Sequence, residues 1–146
     1  MLDLRSWPRT DPIYNEGYLH DQVMNEYGFK NESEFLNYSA YPVCKFKEFF
    51  DLKIPTLLIA GDSDTTVAFS ENSQKMIDYC VKNGINLTYY VKVGADHHPH
   101  SFGNIEKWGV TYENSFNVYS SQIDGSSREN PKTVKSQTSI VIDFIK

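Results

Sequence analysis

The sequence predicts a mixed α/β fold built on one strand–helix–strand unit of a parallel sheet, with further helices flanking it. The first observation is a continuous apolar run, Ile54 to Ala60, which has the length of a strand and stops at Gly61. Such runs are typical of strands that are buried on both faces in parallel sheets. The second is an alternating run from Leu87 to Val93, and the third is a helical pattern between the two. A strand, a helix and a strand in this order predict a right-handed βαβ unit.

The chain of 146 residues suits one domain. We expect four parts within it. Residues 1–53 form a helical and loop segment, and residues 54–102 form the βαβ unit with two polar loops. Residues 103–137 are polar, rich in Ser and Asn and weakly periodic, and we expect a loop-rich insertion or a poorly ordered excursion there. Residues 138–146 form a C-terminal helix.

Two short helices are expected before the first strand. Asp21 to Tyr27 has the pattern of a short helix. Asn31 is an N-cap candidate that is followed three residues later by Glu34, an arrangement close to a capping box. It predicts a helix that runs to about Tyr38.

The helix between the strands has clear start and stop signals. Ser70 can cap it, and Gly84 after Asn83 is typical of a helix C-terminus. Cys80 lies on its apolar face and has no CxxC partner and no His at zinc-ligand spacing, so we expect a buried free thiol there. The last segment, SIVIDFIK, has apolar residues at helical spacing and predicts a helix that docks on the sheet, although Ile-Val-Ile also suits a strand.

Charge and hydropathy exclude several classes of protein. The net charge is −5 and the isoelectric point is about 5.3, with no Lys/Arg-rich run, so nucleic acid is not an expected partner. The chain has no run of about 18 apolar residues, so we expect no membrane span. The first ten residues lack the apolar core of a signal peptide, and the cellular location stays open.

Acidic residues follow the first strand in the segment Gly61-Asp62-Ser63-Asp64. A carboxylate at the rim of a sheet can orient an imidazole and stabilise the imidazolium that forms in a reaction. Asp64 is the candidate acid and Asp62 is its competitor. Taken alone, an Asp-rich loop is more often a turn with Asx hydrogen bonds than a functional site.

Histidines follow the second strand. Three of the four in the chain, His97, His98 and His100, lie within four positions of one another. Histidine suits proton transfer near neutral pH, which makes His97 a candidate general base. The cluster could instead bind a transition metal, but no third protein ligand is evident in the sequence. An acid after one parallel strand and a histidine after the next are neighbours at one edge of a sheet.

The two loops resemble those of α/β-hydrolase esterases. The segment IPTLLIAGDSDTTVAFSENS is similar to their acid loop, with G-x-x-D-x-x-V after a strand. The segment VKVGADHHPHSF is similar to the histidine loop of bacterial esterases with G-x-G-H-H-P-H-S. LDLRSWP resembles the segment that follows the strand after the nucleophile elbow, and SIVIDFI resembles the last helix. The resemblance covers residues 1–102 and, weakly, 138–146.

The resemblance implies a partial α/β-hydrolase fold in which Asp64 is the triad acid and His97 the triad base. Asp96 stands where those sequences have glycine, and the polar stretch after residue 102 is longer than theirs. The family's nucleophile motif, G-x-S-x-G, does not occur. Ser63, Ser126 and Ser127 lack the strand–turn–helix context that exposes a nucleophile.

We therefore expect the C-terminal part of a serine carboxylic-ester hydrolase, acting on a small-molecule or carbohydrate ester in the full-length protein and inactive without its nucleophile. No cofactor and no metal are expected. One alternative is a non-catalytic truncated or pairing module of the same ancestry that self-associates through exposed sheet edges. A less favoured alternative is a metal-binding module that uses His97, His98 and His100.

Overall fold

The fold is described from a computed structural model. It describes the backbone of residues 16–38, 45–97, 105–106, 109–110, 115–135 and 137–146. The chain divides into two compact units, of which one comprises Met1–Ile54 with Thr65–Ile85 and the other comprises Pro55–Asp64 with Asn86–Lys146. The first unit is helical in its described part, and the second contains the sheet.

The helical unit contains four α-helices and one short 3-10 helix among the described residues. A small core forms around Val23 and Phe35, which are 8% and 2% exposed, with Met24, Phe29 and Tyr38 packed against them. The helices are α1 (Glu16–Tyr27), α2 (Glu32–Leu36), α3 (Phe46–Asp51) and α4 (Ser73–Asn83), and the 3-10 helix is Phe69–Glu71.

The predicted N-cap of α2 is confirmed. The Asn31 side chain accepts a hydrogen bond from the backbone N–H of Glu34 at 3.0 Å, which satisfies one of the donors left over at a helix start. The Glu34 carboxylate accepts instead from the backbone N–H of Lys30 at 2.8 Å, one residue before the partner of a capping box. The helix ends at Leu36, earlier than the predicted limit near Tyr38.

Helix α4 begins at Ser73, so the prediction that Ser70 caps it is wrong. Ser70 lies in the 3-10 helix, which occupies the segment where the first turn was expected. The side chain of Asn72 is fully buried and donates a hydrogen bond to the Ala68 carbonyl at 2.9 Å, which holds this tighter turn in place. The predicted end is confirmed, because Gly84 has a φ of 63° in the left-handed region.

The predicted state of Cys80 is also confirmed, since this residue is a free thiol that is 2% exposed. Burial raises the pKa of the Cys80 thiol to about 11. Because the thiolate is the reactive form, the raised pKa and the low exposure act in the same direction. Both suppress reaction with a thiol reagent in the folded protein.

A Cys44→Ser variant isolates Cys80 for a reactivity measurement with a chromogenic disulfide at pH 8. We expect Cys80 to react at least about a hundredfold more slowly in the folded chain than in denaturant, since its thiolate population is reduced and access is blocked. Equal rates in the two conditions would contradict the burial of this side chain.

The second unit is built on a four-stranded mixed sheet. Its strands are β1 (Leu57–Gly61), β2 (Thr88–Lys92), β5 (Ser115–Ser120) and β6 (Lys132–Lys135), in the order β1-β2-β5-β6. Two further strands, β3 (Ile105–Glu106) and β4 (Gly109–Val110), form a separate antiparallel pair. The parallel pairing of β1 with β2 is confirmed, and β5 and β6 add to the sheet in antiparallel fashion. The chain therefore has mixed α/β character.

Strands β5 and β6 correct the expectation of a loop-rich stretch over residues 103–137. In β5 the buried side chains Phe116 and Val118 alternate with the exposed Asn117 and the half-buried Tyr119. This alternation is the signature of a strand with one buried face. The many Ser and Asn residues of the segment concealed it, because they dominate the composition without occupying the buried positions.

Helix α5 (Gln137–Ile145) confirms the predicted C-terminal helix and its docking on the sheet. A second hydrophobic cluster is centred on Phe116 and Val118, with Tyr90, Ile123, Val134 and Ile140 packed against it. Ile140 belongs to α5, so the helix contributes to the core of the sheet unit. Within the described ranges, no helix is long and apolar enough to span a membrane.

Candidate acid–base site

The candidate site lies where β1 and β2 end. Because the two strands are parallel and Gly61 is in register with Lys92, the loops that follow them leave the sheet at the same edge. The first loop carries Asp62 and Asp64, and the second carries Asp96 and His97. All of these residues belong to the sheet unit.

The two loops contact each other closely through their backbones. The backbone N–H of Asp62 donates to the Lys92 carbonyl at 3.2 Å, and that of Ser63 donates to the Ala95 carbonyl at 3.0 Å. A Cβ atom on Gly61 would overlap the Ala95 carbonyl oxygen and would lie 2.6 Å from the carbonyl oxygen of Asp96. Only glycine allows the loops to approach this closely.

A Gly61→Ala variant tests this close approach. We expect the free energy of unfolding to fall by about 1–3 kcal/mol, because the added methyl group meets backbone atoms that must shift. Urea denaturation of the two proteins measures the difference. A variant as stable as the parent chain would show that the loops are not in contact at Gly61.

The predicted proximity of Asp64 and His97 is confirmed. The Nδ1 atom of His97 lies 3.0 Å from Oδ2 of Asp64, and the side chains are 36% and 15% exposed. With the ring in its Nδ1–H tautomer, this N–H donates to the carboxylate and the lone pair is on Nε2. The arrangement can orient the imidazole and stabilise the imidazolium once Nε2 has taken up a proton.

Asp62, the competing acid, has a different role in the structure. Its side chain is 2% exposed and contacts Arg128, whose Nε donates to Oδ2 at 2.9 Å. The other carboxylate oxygen accepts from the backbone N–H of Gly94 at 2.7 Å and from the Ser63 hydroxyl at 3.2 Å. These contacts direct Asp62 toward the backbone of the histidine loop, whereas Asp64 contacts the imidazole.

Sequence reasoning missed Arg128. It lies in the segment between β5 and β6, 66 residues after its partner Asp62, and no local pattern relates the two. Tyr119 lies in the same neighbourhood. Burial raises the pKa of Tyr119 to about 12, the charge of Asp62 adds to this effect and the charge of Arg128 opposes it. The Tyr119 hydroxyl is therefore neutral at physiological pH and adds no second negative charge beside Asp62.

Asp96 stands at the position where the esterase histidine loop G-x-G-H-H-P-H-S has glycine, and its side chain makes a hydrogen bond to the next residue. Its Oδ1 accepts a hydrogen bond from the backbone N–H of His97 at 2.7 Å. This is a local hydrogen bond from the backbone to a side chain, of the kind that aspartate makes in loops. Asp96 thus makes a local hydrogen bond directly before the candidate base.

The alternative of a metal site falls partly outside the described residues, because His98 and His100 are not among them. In the part of the chain that the structure describes, no three His, Cys, Asp or Glu side chains form a group that could hold a metal ion. Segment Leu2–Pro8, one of those that carried the resemblance to esterases, also lies outside the described ranges.

The fold and the site together define a mixed α/β protein with a carboxylate–imidazole pair at the carboxyl ends of two parallel strands. No protein-family model, no curated protein and no solved structure matches the chain.

An Asp64→Ala variant tests the hydrogen bond to His97. The carboxylate selects the Nδ1–H tautomer, so its removal should raise the share of the Nε2–H tautomer. The 15N chemical shifts of the His97 ring nitrogens report this share directly. Asp78→Ala is the matched control, because it removes the same charge from α4 and should leave the His97 spectrum unchanged. Identical His97 spectra for Asp64→Ala and the parent chain would disprove the contact.

Proposed function

We propose that this chain supplies the acid and the base of a serine carboxylic-ester hydrolase with an α/β-hydrolase type of sheet. The observation that carries the proposal is the 3.0 Å contact between Asp64 and His97 at the ends of two adjacent parallel strands. The chain order of acid and then histidine is the order that α/β-hydrolases use, with the nucleophile earlier in the chain.

In the proposed reaction, a serine outside these 146 residues attacks the ester carbonyl carbon. Nε2 of His97 accepts the hydroxyl proton as the new carbon–oxygen bond forms, and Asp64 stabilises the resulting imidazolium. His97 then returns this proton to the departing alcohol when the ester bond breaks. A water molecule hydrolyses the acyl-enzyme by the same route, with His97 again accepting and returning a proton.

Ser63, Ser126 and Ser127 form hydrogen bonds with groups other than His97. Ser63 donates to Asp62 at 3.2 Å, and the Ser126 hydroxyl lies 2.8 Å from the Ile123 carbonyl, to which it donates. The Ser127 hydroxyl accepts from the backbone N–H of Asn130 at 3.1 Å. A serine nucleophile needs a hydrogen bond to its base, and these contacts lead away from His97. They support a nucleophile supplied from elsewhere.

The proposed substrate is an ester of a small molecule or a carbohydrate, with an acyl or acetyl group as the part transferred to serine. This choice follows the resemblance of the two loops to esterase sequences. The exposures of the pair also suit the role, because the more accessible His97 must meet the nucleophile while Asp64 needs only to reach the ring.

A hydrolysis assay with an activated aryl ester tests the proposal in two steps. The 146-residue chain should release the aryl alcohol no faster than its His97→Ala variant, since an acid and a base without the nucleophile leave the reaction at background. Turnover by the chain alone that His97→Ala abolishes would contradict the need for an outside serine.

The second step uses a protein in which this segment is joined to the proposed nucleophile segment. There, we expect His97→Ala and Asp64→Asn each to lower kcat by about 10⁴-fold while the protein stays folded. Asp78→Asn serves as the control and should have no effect, because Asp78 contacts Gln74 on the exposed face of α4. Ester hydrolysis that tolerates loss of both His97 and Asp64 would overturn the proposed function.

A further inference from the structure

We propose that Arg128 and Asp62 act as a positioning pair that fixes the histidine loop and, through it, the orientation of His97 toward Asp64. This proposal rests on the proposed function, because the pair would position the histidine that acts as the base there. Neither Arg128 nor Asp62 contacts the imidazole, so both act through the backbone of the loop.

A hydrogen bond joins the Asp62 side chain to the backbone of Gly94 in the histidine loop. The buried carboxylate accepts from the Gly94 N–H at 2.7 Å, a short distance that is typical of a charge-assisted hydrogen bond. Gly94 has a φ of 75°, so the chain makes a left-handed turn at this residue. The turn lies three residues before His97 and sets the direction in which the loop leaves β2. Asp62 therefore fixes the start of the histidine loop, where the chain leaves β2.

The burial of the Asp62 carboxylate explains why it needs a cationic partner. A carboxylate that is 2% exposed is costly unless a charge and hydrogen bonds compensate it. Gly94 and Ser63 supply neutral donors, and Arg128 supplies the cation. Without that cation, the carboxylate would move toward water, and the Gly94 N–H would lose its acceptor.

The turn that carries Arg128 is held by several hydrogen bonds. Ser127 and Asn130 exchange backbone hydrogen bonds, each at 3.2 Å. The Asn130 side chain also donates to the Gly125 carbonyl at 2.9 Å. The Arg128 backbone is thereby held in place although its side chain is 63% exposed. A fixed turn limits the entropy lost when the guanidinium binds Asp62.

Amide hydrogen exchange of the 146-residue chain tests the pair. Arg128→Gln should speed exchange at the Gly94 amide by about tenfold, the effect of weakening one charge-assisted hydrogen bond. The 15N spectrum of His97 should shift toward the Nε2–H tautomer in the same variant. Lys146→Gln is the matched control. It removes the same charge at the C-terminal end of helix α5, where the ammonium group contacts Asp143, and should alter Gly94 exchange by less than about twofold.

A double-mutant cycle with Asp62→Asn shows whether Arg128 affects Gly94 through Asp62. In that background, Arg128→Gln should change Gly94 exchange by less than about twofold, because the charged partner is already absent. If Asp62→Asn does not fold, the comparison of Arg128→Gln with Lys146→Gln decides alone. An unchanged Gly94 amide in Arg128→Gln would overturn the proposal, as would a uniform rise in exchange throughout the chain, which indicates only a loss of global stability.

None of these measurements uses an ester, so the two proposals fail separately. Ester hydrolysis that does not need His97 would refute the hydrolase and leave the effect of Arg128 on Gly94 intact. Conversely, a Gly94 amide indifferent to Arg128 would refute the positioning pair and leave the acid and base of the hydrolase in place.

Discussion

The parallel pairing of β1 with β2 is the constraint on which the candidate site depends. It brings two loops that are distant in sequence to one edge of the sheet, and it does so through hydrogen bonds between backbone groups. The absence of a Cβ on Gly61 then lets the loops come into backbone contact at Ala95. The 3.0 Å distance between Asp64 and His97 is a consequence of these two features.

Asp62 and Asp64 show how one loop can hold two carboxylates with opposite tasks. Asp62, at 2% exposure, is surrounded by backbone, hydroxyl and guanidinium donors, so its negative charge is used to hold structure. Asp64 is more exposed, at 15%, and contacts the imidazole ring of His97, the candidate base of the proposed reaction. The environment of each carboxylate, rather than its distance along the chain from the strand, separates the structural acid from the candidate catalytic acid.

Local patterns predicted the parallel strands, the crossover helix with its Gly84 stop, the helix at the C-terminus and the choice of Asp64 as the partner of His97. They predicted these features because each depends on hydrophobic period or on a rule that relates strand ends. They failed in β5, where the polar composition masked a short alternation of buried and exposed side chains. They also failed at the start of α4, where Asn72 and not Ser70 is the N-cap residue. Arg128 could not be found, because a contact over 66 residues depends on antiparallel strands that were themselves missed.

The strands β5 and β6 also change how the polar segment after the histidine loop is understood. Strand β5 pairs with β2 and β6 pairs with β5, and Arg128 from the turn between them contacts the carboxylate of Asp62 after the end of β1. In the reaction that we propose, a serine nucleophile would need an imidazole already held in one orientation, since small errors of position are costly in proton transfer. In the proposed arrangement, Asp64 contacts the ring, Asp62 accepts from the backbone of Gly94 in the loop that carries the ring, and Arg128 from the turn after β5 contacts Asp62.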